Sequence, residues 1–191
     1  MKITAPRITK VLKEDCTLDE MFLQPGEDLA EYSFRNQRVF EFKTENMSMQ
    51  DCLFTNSILI GCGIKKSQFS DIIFKNCDLS NMNFSGSGFH RIEFIECKLI
   101  GTNFSESALN HIVFSNCKAE YLNLSMSKLK YVSFDRCDLR NSSFENGQYA
   151  SVNFHESDLK EAEFYRTSLK GVDFSSCDIS AIRISPSIGC E

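Results

Sequence analysis

The sequence predicts an all-β fold, a right-handed, four-sided parallel β-helix of about eight coils. Three observations predict it: large apolar residues recur every five positions, small residues recur two positions before them, and residue types repeat again every 20 positions. A period of five fits neither an α-helix at 3.6 residues nor an uninterrupted strand at two. The chain must therefore turn after each short extended segment, as the chain of a solenoid does.

The five-residue period is carried by 32 positions, from Leu29 to Ile184, of which only Thr44 is polar. These positions hold 14 of the 17 phenylalanines, and the chain has no tryptophan. Residues two apart in an extended segment point to the same side. The small residue two positions before each apolar residue therefore faces inward as well, and the other three residues of each repeat are expected to face outward.

The 20-residue period indicates that four repeats form one coil and that like residues stack between coils. Among the small inward positions, one column holds isoleucine and valine, and another holds Cys77, Cys97, Cys117 and Cys137. Zinc-binding cysteines converge on one point, whereas these cysteines lie along a line, so we interpret them as small core residues. With adjacent coils about 4.8 Å apart, eight coils give a rod of roughly 38 Å.

The predicted domain organisation has three parts. Residues 1–28 lack the register and contain the turn-forming pair Pro25–Gly26, so they are predicted to form an N-terminal cap. Residues 29–184 form the pentapeptide-period β-helix, and residues 185–191 form a short C-terminal tail.

The cysteines, together with two patterns that the sequence lacks, indicate the cellular compartment. The sequence shows neither a secretory signal pattern nor the apolar run of about 20 residues that a membrane helix needs. We therefore expect a cytoplasmic protein, with no membrane partner, whose nine cysteines are reduced. Cys16 and Cys190 lie outside the cysteine column and are the predicted reactive thiols.

The repeats resemble the pentapeptide-repeat family, whose motif is a small residue, Asp or Asn, Leu or Phe, a polar residue and a variable one. Cys77-Asp78-Leu79-Ser80-Asn81 and Ser157-Asp158-Leu159-Lys160-Glu161 match this motif well. A narrower resemblance is to the chromosomal Qnr-like quinolone-resistance proteins of Gram-positive bacteria. It is carried by the initial MKIT and by the stretches 86–91, 101–104, 116–121 and 167–174.

The narrower resemblance implies a dimeric rod that imitates duplex DNA, binds DNA gyrase or topoisomerase IV, and relieves fluoroquinolone poisoning. Such relatives continue past the last coil into a short helix that helps to form the dimer. Here the sequence ends with Ser185-Pro186-Ser187-Ile188-Gly189-Cys190-Glu191, and proline and glycine are poor helix residues. A homodimer is therefore expected to be less favoured than in the relatives.

The charge distribution supports DNA imitation only in part. DNA carries about one negative charge per 1.7 Å, whereas this chain has a net charge of −5. Over residues 71–183, two adjacent faces carry net charges of −3 and −2, and another face carries +3. The carboxylates of the two acidic faces are the candidate partner-binding residues: Glu93, Glu96, Asp135, Asp138, Glu156, Asp158, Asp173 and Asp178. An ordinary solvated surface is the alternative explanation of this asymmetry.

No pattern in the sequence points to catalysis. There is no set of nucleophile, base and orienting residue and no glycine-rich phosphate loop, so no enzyme activity, cofactor or catalytic residue is predicted. His90 and His111 fall on one face in adjacent coils, where a solvated surface is favoured over a metal or anion site. A mildly acidic chain also argues against direct nucleic-acid binding. The alternative function is a generic protein-interaction scaffold that binds an unrelated partner near Ile73, Ile95 and Val113.

Overall fold

The chain winds into a parallel β-solenoid, in a computed structural model that describes residues 2–14, 17–18 and 28–185. Eight strands form the largest sheet: β1 (Leu29–Ala30), β2 (Ser33–Arg35), β5 (Ser48–Thr55), β8 (Gln68–Lys75), β9 (Gly88–Ile95), β10 (Ala108–Ser115), β11 (Lys128–Asp135) and β12 (Gln148–His155). Three two-stranded sheets pair β3 (Arg38–Phe40) with β6 (Ile58–Ile60), β4 (Lys43–Glu45) with β7 (Gly63–Lys65), and β13 (Glu163–Phe164) with β14 (Arg183–Ile184).

The register between strands shows that one coil takes 20 residues. β10 pairs with β11 in parallel so that Leu109 meets Leu129 and Phe114 meets Phe134. The same 20-residue offset relates β5 to β8 and β11 to β12. Isolated β-bridges show this offset on the other sides of the solenoid. The predicted all-β solenoid with about eight four-sided coils is confirmed.

The core consists of the two inward positions of each repeat. Phe114 is fully buried, and its ring lies parallel to those of Phe94 and Phe134, with centroid distances of 4.9 and 4.8 Å. Rings in adjacent coils stack in this way because the backbone spacing between parallel strands is close to a favourable ring separation. Phenylalanine therefore recurs along the core because each coil offers the ring the same environment.

Small polar side chains inside the solenoid form hydrogen bonds with backbone N–H and carbonyl groups. The Ser87 hydroxyl accepts a hydrogen bond from the Ser67 N–H at 3.0 Å, and the Ser127 hydroxyl donates to the Phe104 carbonyl at 2.7 Å. Cysteine serves as a weaker donor in its own column, where the Cys97 thiol contacts the Phe74 carbonyl at 3.3 Å. Hydrogen bonding to Cys117 and Cys77, together with burial, raises the pKa of the Cys97 thiol. These cysteines are buried and therefore serve as core residues.

Most corners of the solenoid place a residue in the left-handed region of backbone conformation. Asn76 has a φ of 54°, Tyr121 of 59° and Met126 of 59°. Non-glycine residues rarely adopt this conformation, and asparagine does so most readily. The strain is offset because the corner N–H donates to the next coil, as Tyr121 N–H does to the Arg140 carbonyl at 3.0 Å.

We expect Asn76→Val to lower the free energy of unfolding by about 1–2 kcal/mol, because a β-branched residue fits the left-handed region poorly. Asn76→Gly should be close to neutral, since glycine has no Cβ to clash. Lys75→Val is the matched control, because Lys75 is an exposed residue of β8 with extended backbone. Urea unfolding of the three variants measures the effect. Equal losses for Asn76→Val and Lys75→Val would contradict the proposed role of the corner.

Several sequence-based predictions fall on residues outside the described ranges. These are the thiols of Cys16 and Cys190, the Pro25–Gly26 turn, and residues 186–191 of the predicted tail, where the relatives carry their helix. The N-terminal cap stays a prediction, because residues 1, 15–16 and 19–27 also lie outside those ranges. In the described ranges, no helix is both long and apolar enough to cross a bilayer.

Candidate partner-binding surface

Three of the predicted carboxylates stack in one column on the side of the solenoid that follows the cysteine column. Isolated bridges align Asp138 with Asp158 and Asp158 with Asp178, one coil apart. Each carboxylate accepts a hydrogen bond from the backbone N–H two residues later, at 3.3, 3.0 and 2.9 Å respectively. This local turn is typical of aspartate. It holds the three carboxylates of this aspartate column in one orientation.

The electrostatics of the aspartate column differ from coil to coil. Arg140 binds Asp138 with two nitrogens at 2.8 and 2.7 Å, contacts Glu120 at 2.6 Å, and lies 3.7 Å from Asp158. Burial would raise the pKa of the Asp138 carboxyl, but the hydrogen bonds and charge of Arg140 outweigh it and lower that pKa. Hydrogen bonds from Ser180 lower the pKa of the Asp178 carboxyl. Asp138 is therefore partly neutralised, whereas exposed Asp178 makes no ion pair within the described part of the chain.

The other carboxylates near the aspartate column lie on the adjacent face or at the corner between the faces. Asp135 pairs with Arg136 at 2.7 Å and with the His155 ring at 2.8 Å, so its charge is also offset. Glu156 occupies the exposed corner with a φ of 47°. Asp173 is exposed, and its carboxylate accepts the Ser175 N–H at 2.9 Å. Six of the eight predicted residues thus lie in the last three coils.

Glu93 and Glu96 lie apart from this group, two coils earlier than Asp135. Glu93 is half-buried and sits in register between Ile73 and Val113, two of the residues predicted to form an apolar partner patch. Burial raises the pKa of the Glu93 carboxyl. Glu96 is exposed at a corner with a φ of 55°. The structure therefore does not place all eight carboxylates in one surface.

The N-terminal segment lies along the coils, which the sequence analysis did not anticipate. We call residues 2–14 the strap. Its backbone N–H groups donate to side chains of three different coils: Thr4 to His111 Nδ1 at 3.1 Å, Arg7 to Asp71 at 2.8 Å, and Thr9 to Asp51 at 2.7 Å. Lys13 bridges to Tyr32 in parallel at the first coil. The apolar residues at positions 53, 73 and 113, which face outward in the repeat, were the only signal in the sequence for a covering segment.

The two histidines near the strap take part in packing. The His111 ring stacks on Tyr131 with a centroid distance of 4.7 Å and meets the His90 ring edge-on at 5.9 Å. Burial and the charge of Arg91 lower the pKa of His90. Across the residues described, no cluster of three or more His, Cys, Asp or Glu side chains is arranged to hold a metal ion.

Comparison with known proteins gives the family. The model described as "Pentapeptide repeat region" matches residues 87–164, and the model described as "Pentapeptide repeats (8 copies)" matches residues 150–183. No curated protein sequence is significantly similar to this chain.

Two solved structures are similar to this chain. HetL, a pentapeptide repeat protein involved in heterocyst differentiation regulation from the cyanobacterium Nostoc, has a TM-score of 0.50 at 10% identity, over 88% of this chain and 92% of HetL. A trypsin-treated form of QnrB1, a plasmid-mediated fluoroquinolone resistance protein, has a TM-score of 0.46 at 17% identity, over 80% of this chain and 92% of QnrB1. From the two matching models and the 20-residue coil, we conclude that the chain belongs to the pentapeptide-repeat family.

Proposed function

We propose that this protein binds DNA gyrase or topoisomerase IV in the cytoplasm and protects the enzyme against fluoroquinolones, without catalysing a reaction itself. The observation that carries the proposal is the aspartate column, formed by Asp138, Asp158 and Asp178. The choice of target rests on the sequence resemblance to the Qnr-like proteins. The partner surface that we propose comprises this column with Glu156 and Asp173, which lie exposed in the same coils.

The proposed mechanism is competition for the basic surface on which a topoisomerase holds DNA. The aspartates are held in place by their own backbone turns, so little reorganisation is needed when they meet cationic side chains. Carboxylates one coil apart give about one charge per 4.8 Å, whereas DNA gives about one per 1.7 Å. The column is less densely charged than DNA and should therefore compete with DNA for the enzyme only weakly. We expect the protein to disfavour the drug-stabilised complex at low concentration and to inhibit the enzyme only at high concentration.

The test is gyrase supercoiling in the presence of ciprofloxacin, with this protein titrated from below the enzyme concentration to a large excess. Rescue of supercoiling at low concentration, weakening as salt is added, is the expected result. Absence of any effect at every concentration would reject gyrase as the target, and the same assay with topoisomerase IV would decide the second target.

Matched neutralising variants test the aspartate column itself. We expect Asp158→Asn/Asp178→Asn to lose most of the rescue, because asparagine keeps the turn-forming acceptor but removes the charge. Asp78→Asn is the control, since Asp78 lies on the same side of the solenoid, three coils before Asp138, and accepts the Ser80 N–H at 3.1 Å in the same way. Equal rescue by all variants would show that this column does not carry the binding.

A further inference from the structure

The strap binds the solenoid through its main chain. Thr4 and Thr9 are five residues apart and reach His111 and Asp51, which are three coils apart. Five extended residues span about 16 Å and three coils span about 14 Å, so a nearly extended segment matches the spacing of the acceptors. The acceptors are side chains that project from three coils, and the strap crosses the strands of the sheet. This arrangement differs from the pairing of a peptide with a strand edge.

Four side chains of the strap are partly covered, at irregular spacing along the segment. Ile3, Pro6, Ile8 and Leu12 are half-buried, whereas most of the other strap residues are exposed. Ile8 and Leu12 line a shallow depression with Leu53 and Ser33, and Ile3 lines another with Ser133 and Asn153. Between these two depressions lie Ile73, Glu93 and Val113, which are half-buried, as residues at this repeat position on the opposite side of the solenoid also are. The strap thus lines the two ends of this column, with its apolar contact at Leu53.

The strap and two of the side chains that it contacts carry opposite charges. Residues 2–14 carry a net charge of +3, and two of their three side-chain acceptors are carboxylates that are almost fully buried, Asp51 at 8% and Asp71 at 5% exposure. Asp71 also binds Arg91, with contacts of 2.6 and 2.5 Å. Asp51 accepts both the N–H and the hydroxyl of Thr9 and has no cationic partner within the described ranges. A buried carboxylate without hydrogen-bond donors is costly, and Thr9 supplies the donors where the strap lies over Asp51.

We propose that this strip of the solenoid is a docking site for an extended, basic peptide segment of another protein, and that the strap is its intramolecular occupant. The docking site consists of the acceptors Asp51, Asp71 and His111 and the apolar residues Leu53, Ile73 and Val113. Main-chain N–H groups supply affinity that tolerates many sequences, and the apolar residues that face the solenoid supply selectivity. This proposal is independent of the topoisomerase proposal, because the docking site contains none of the residues of the aspartate column.

The strap competes with any peptide in solution. A tethered segment acts at an effective concentration of roughly millimolar, so the intact chain is expected to bind a free peptide weakly. Arg7→Pro/Thr9→Pro removes the two N–H donors that reach Asp71 and Asp51 and leaves every solenoid residue unchanged. This variant of the full chain should therefore expose the docking site.

The probe is a fluorescent peptide with the sequence of residues 2–14, and anisotropy measures its binding. We expect one peptide per chain on Arg7→Pro/Thr9→Pro, with an affinity on the order of 100-fold higher than on the unmodified chain. Adding Asp51→Gly should abolish that binding, because glycine tolerates the corner φ of 53° but lacks the carboxylate. Asn56→Gly is the matched control, since Asn56 has the same φ at the next corner and should leave binding unchanged.

A second peptide separates main-chain recognition from non-specific attraction between charges. It carries N-methyl groups on residues 7 and 9, which remove the same donors while keeping every side chain and the charge of +3. We expect it not to bind. Equal binding of the two peptides, or no binding of the unmodified peptide to Arg7→Pro/Thr9→Pro, would overturn the proposal. Circular dichroism of each variant shows whether the solenoid is intact.

Discussion

Phe114→Ala is expected to lower the free energy of unfolding by about 3–5 kcal/mol, the range for truncating a fully buried phenylalanine. Phe114 has no exposed surface, and its ring lies between Phe94 and Phe134 at interplanar angles of 4° and 3°. The backbone hydrogen bonds on both sides hold the coils at a set spacing. The neighbouring rings therefore cannot close the cavity, and the full cavity cost is retained.

The end of the stack provides an internal comparison. Phe174 is only half-buried; it stacks face to face on Phe154 at 5.4 Å and 21° and meets Phe164 edge-on at 6.0 Å. Phe174→Ala should therefore cost much less than Phe114→Ala. Tyr121→Ala is the surface control, because Tyr121 is 61% exposed and its loss should lie within about 0.5 kcal/mol. Urea unfolding monitored by circular dichroism measures all three. Equal losses for Phe114→Ala and Phe174→Ala would show that coils near the middle relax as freely as the end.

The solenoid was predictable from sequence because its determinants are local and repeated. Each repeat contributes one large and one small inward residue, and the next coil presents the same pair 20 residues later, as Ile112 and Phe114 meet Val132 and Phe134. The period alone therefore specifies both the register and the inward faces. The corner conformation was not apparent, because residues as different as Asn116, Tyr131 and Arg136 occupy it. The hydrogen bonds of the corner N–H group stabilise it whatever the side chain.

The candidate surface was less predictable than the fold. A net charge for each face does not say which carboxylates are neutralised, whereas the structure pairs Asp135 with Arg136 and Asp138 with Arg140. Such pairing depends on side-chain reach, which the repeat period does not contain. The strap escaped detection because main-chain N–H groups make its hydrogen bonds, and these do not depend on the residue that donates them. Its half-buried residues, Ile3, Pro6, Ile8 and Leu12, follow no regular period.

The strap also changes which acidic residues a partner meets. Glu93 belongs to one of the two faces with a negative net charge, yet it is half-buried between Ile73 and Val113. A basic segment lies along the same side of the solenoid, so this part of the face presents less negative charge than its own residues suggest. The exposed carboxylates of the last three coils are therefore the better surface for a cationic partner.

Asp71→Asn is expected to lower the free energy of unfolding by about 3 kcal/mol at neutral pH. The substitution leaves the largely buried Arg91, whose side chain is 18% exposed, without its counter-ion, and removing one partner of a buried pair costs about 3–5 kcal/mol. We take the lower end of that range because Arg91 retains some contact with water. Asparagine keeps a side-chain acceptor for the Arg7 N–H and tolerates the corner φ of 54°. Arg91→Gln in the Asp71→Asn background should restore part of the loss, as a coupled pair requires.

The same carboxylate makes the strap sensitive to acid. Burial would raise the pKa of Asp71, but hydrogen bonds from Arg91 and the Arg7 N–H, with the charges of Arg91 and His90, outweigh it and lower that pKa. A lowered folded-state pKa contributes stability above the unfolded-state value, about 3.9, and loses it as the pH falls through the folded-state value. The unfolding free energies of the native chain and Asp71→Asn should therefore differ by a constant amount from neutral pH down to about 5, and converge below about 4. A difference that already disappears near pH 6 would assign the effect to a titrating group other than Asp71.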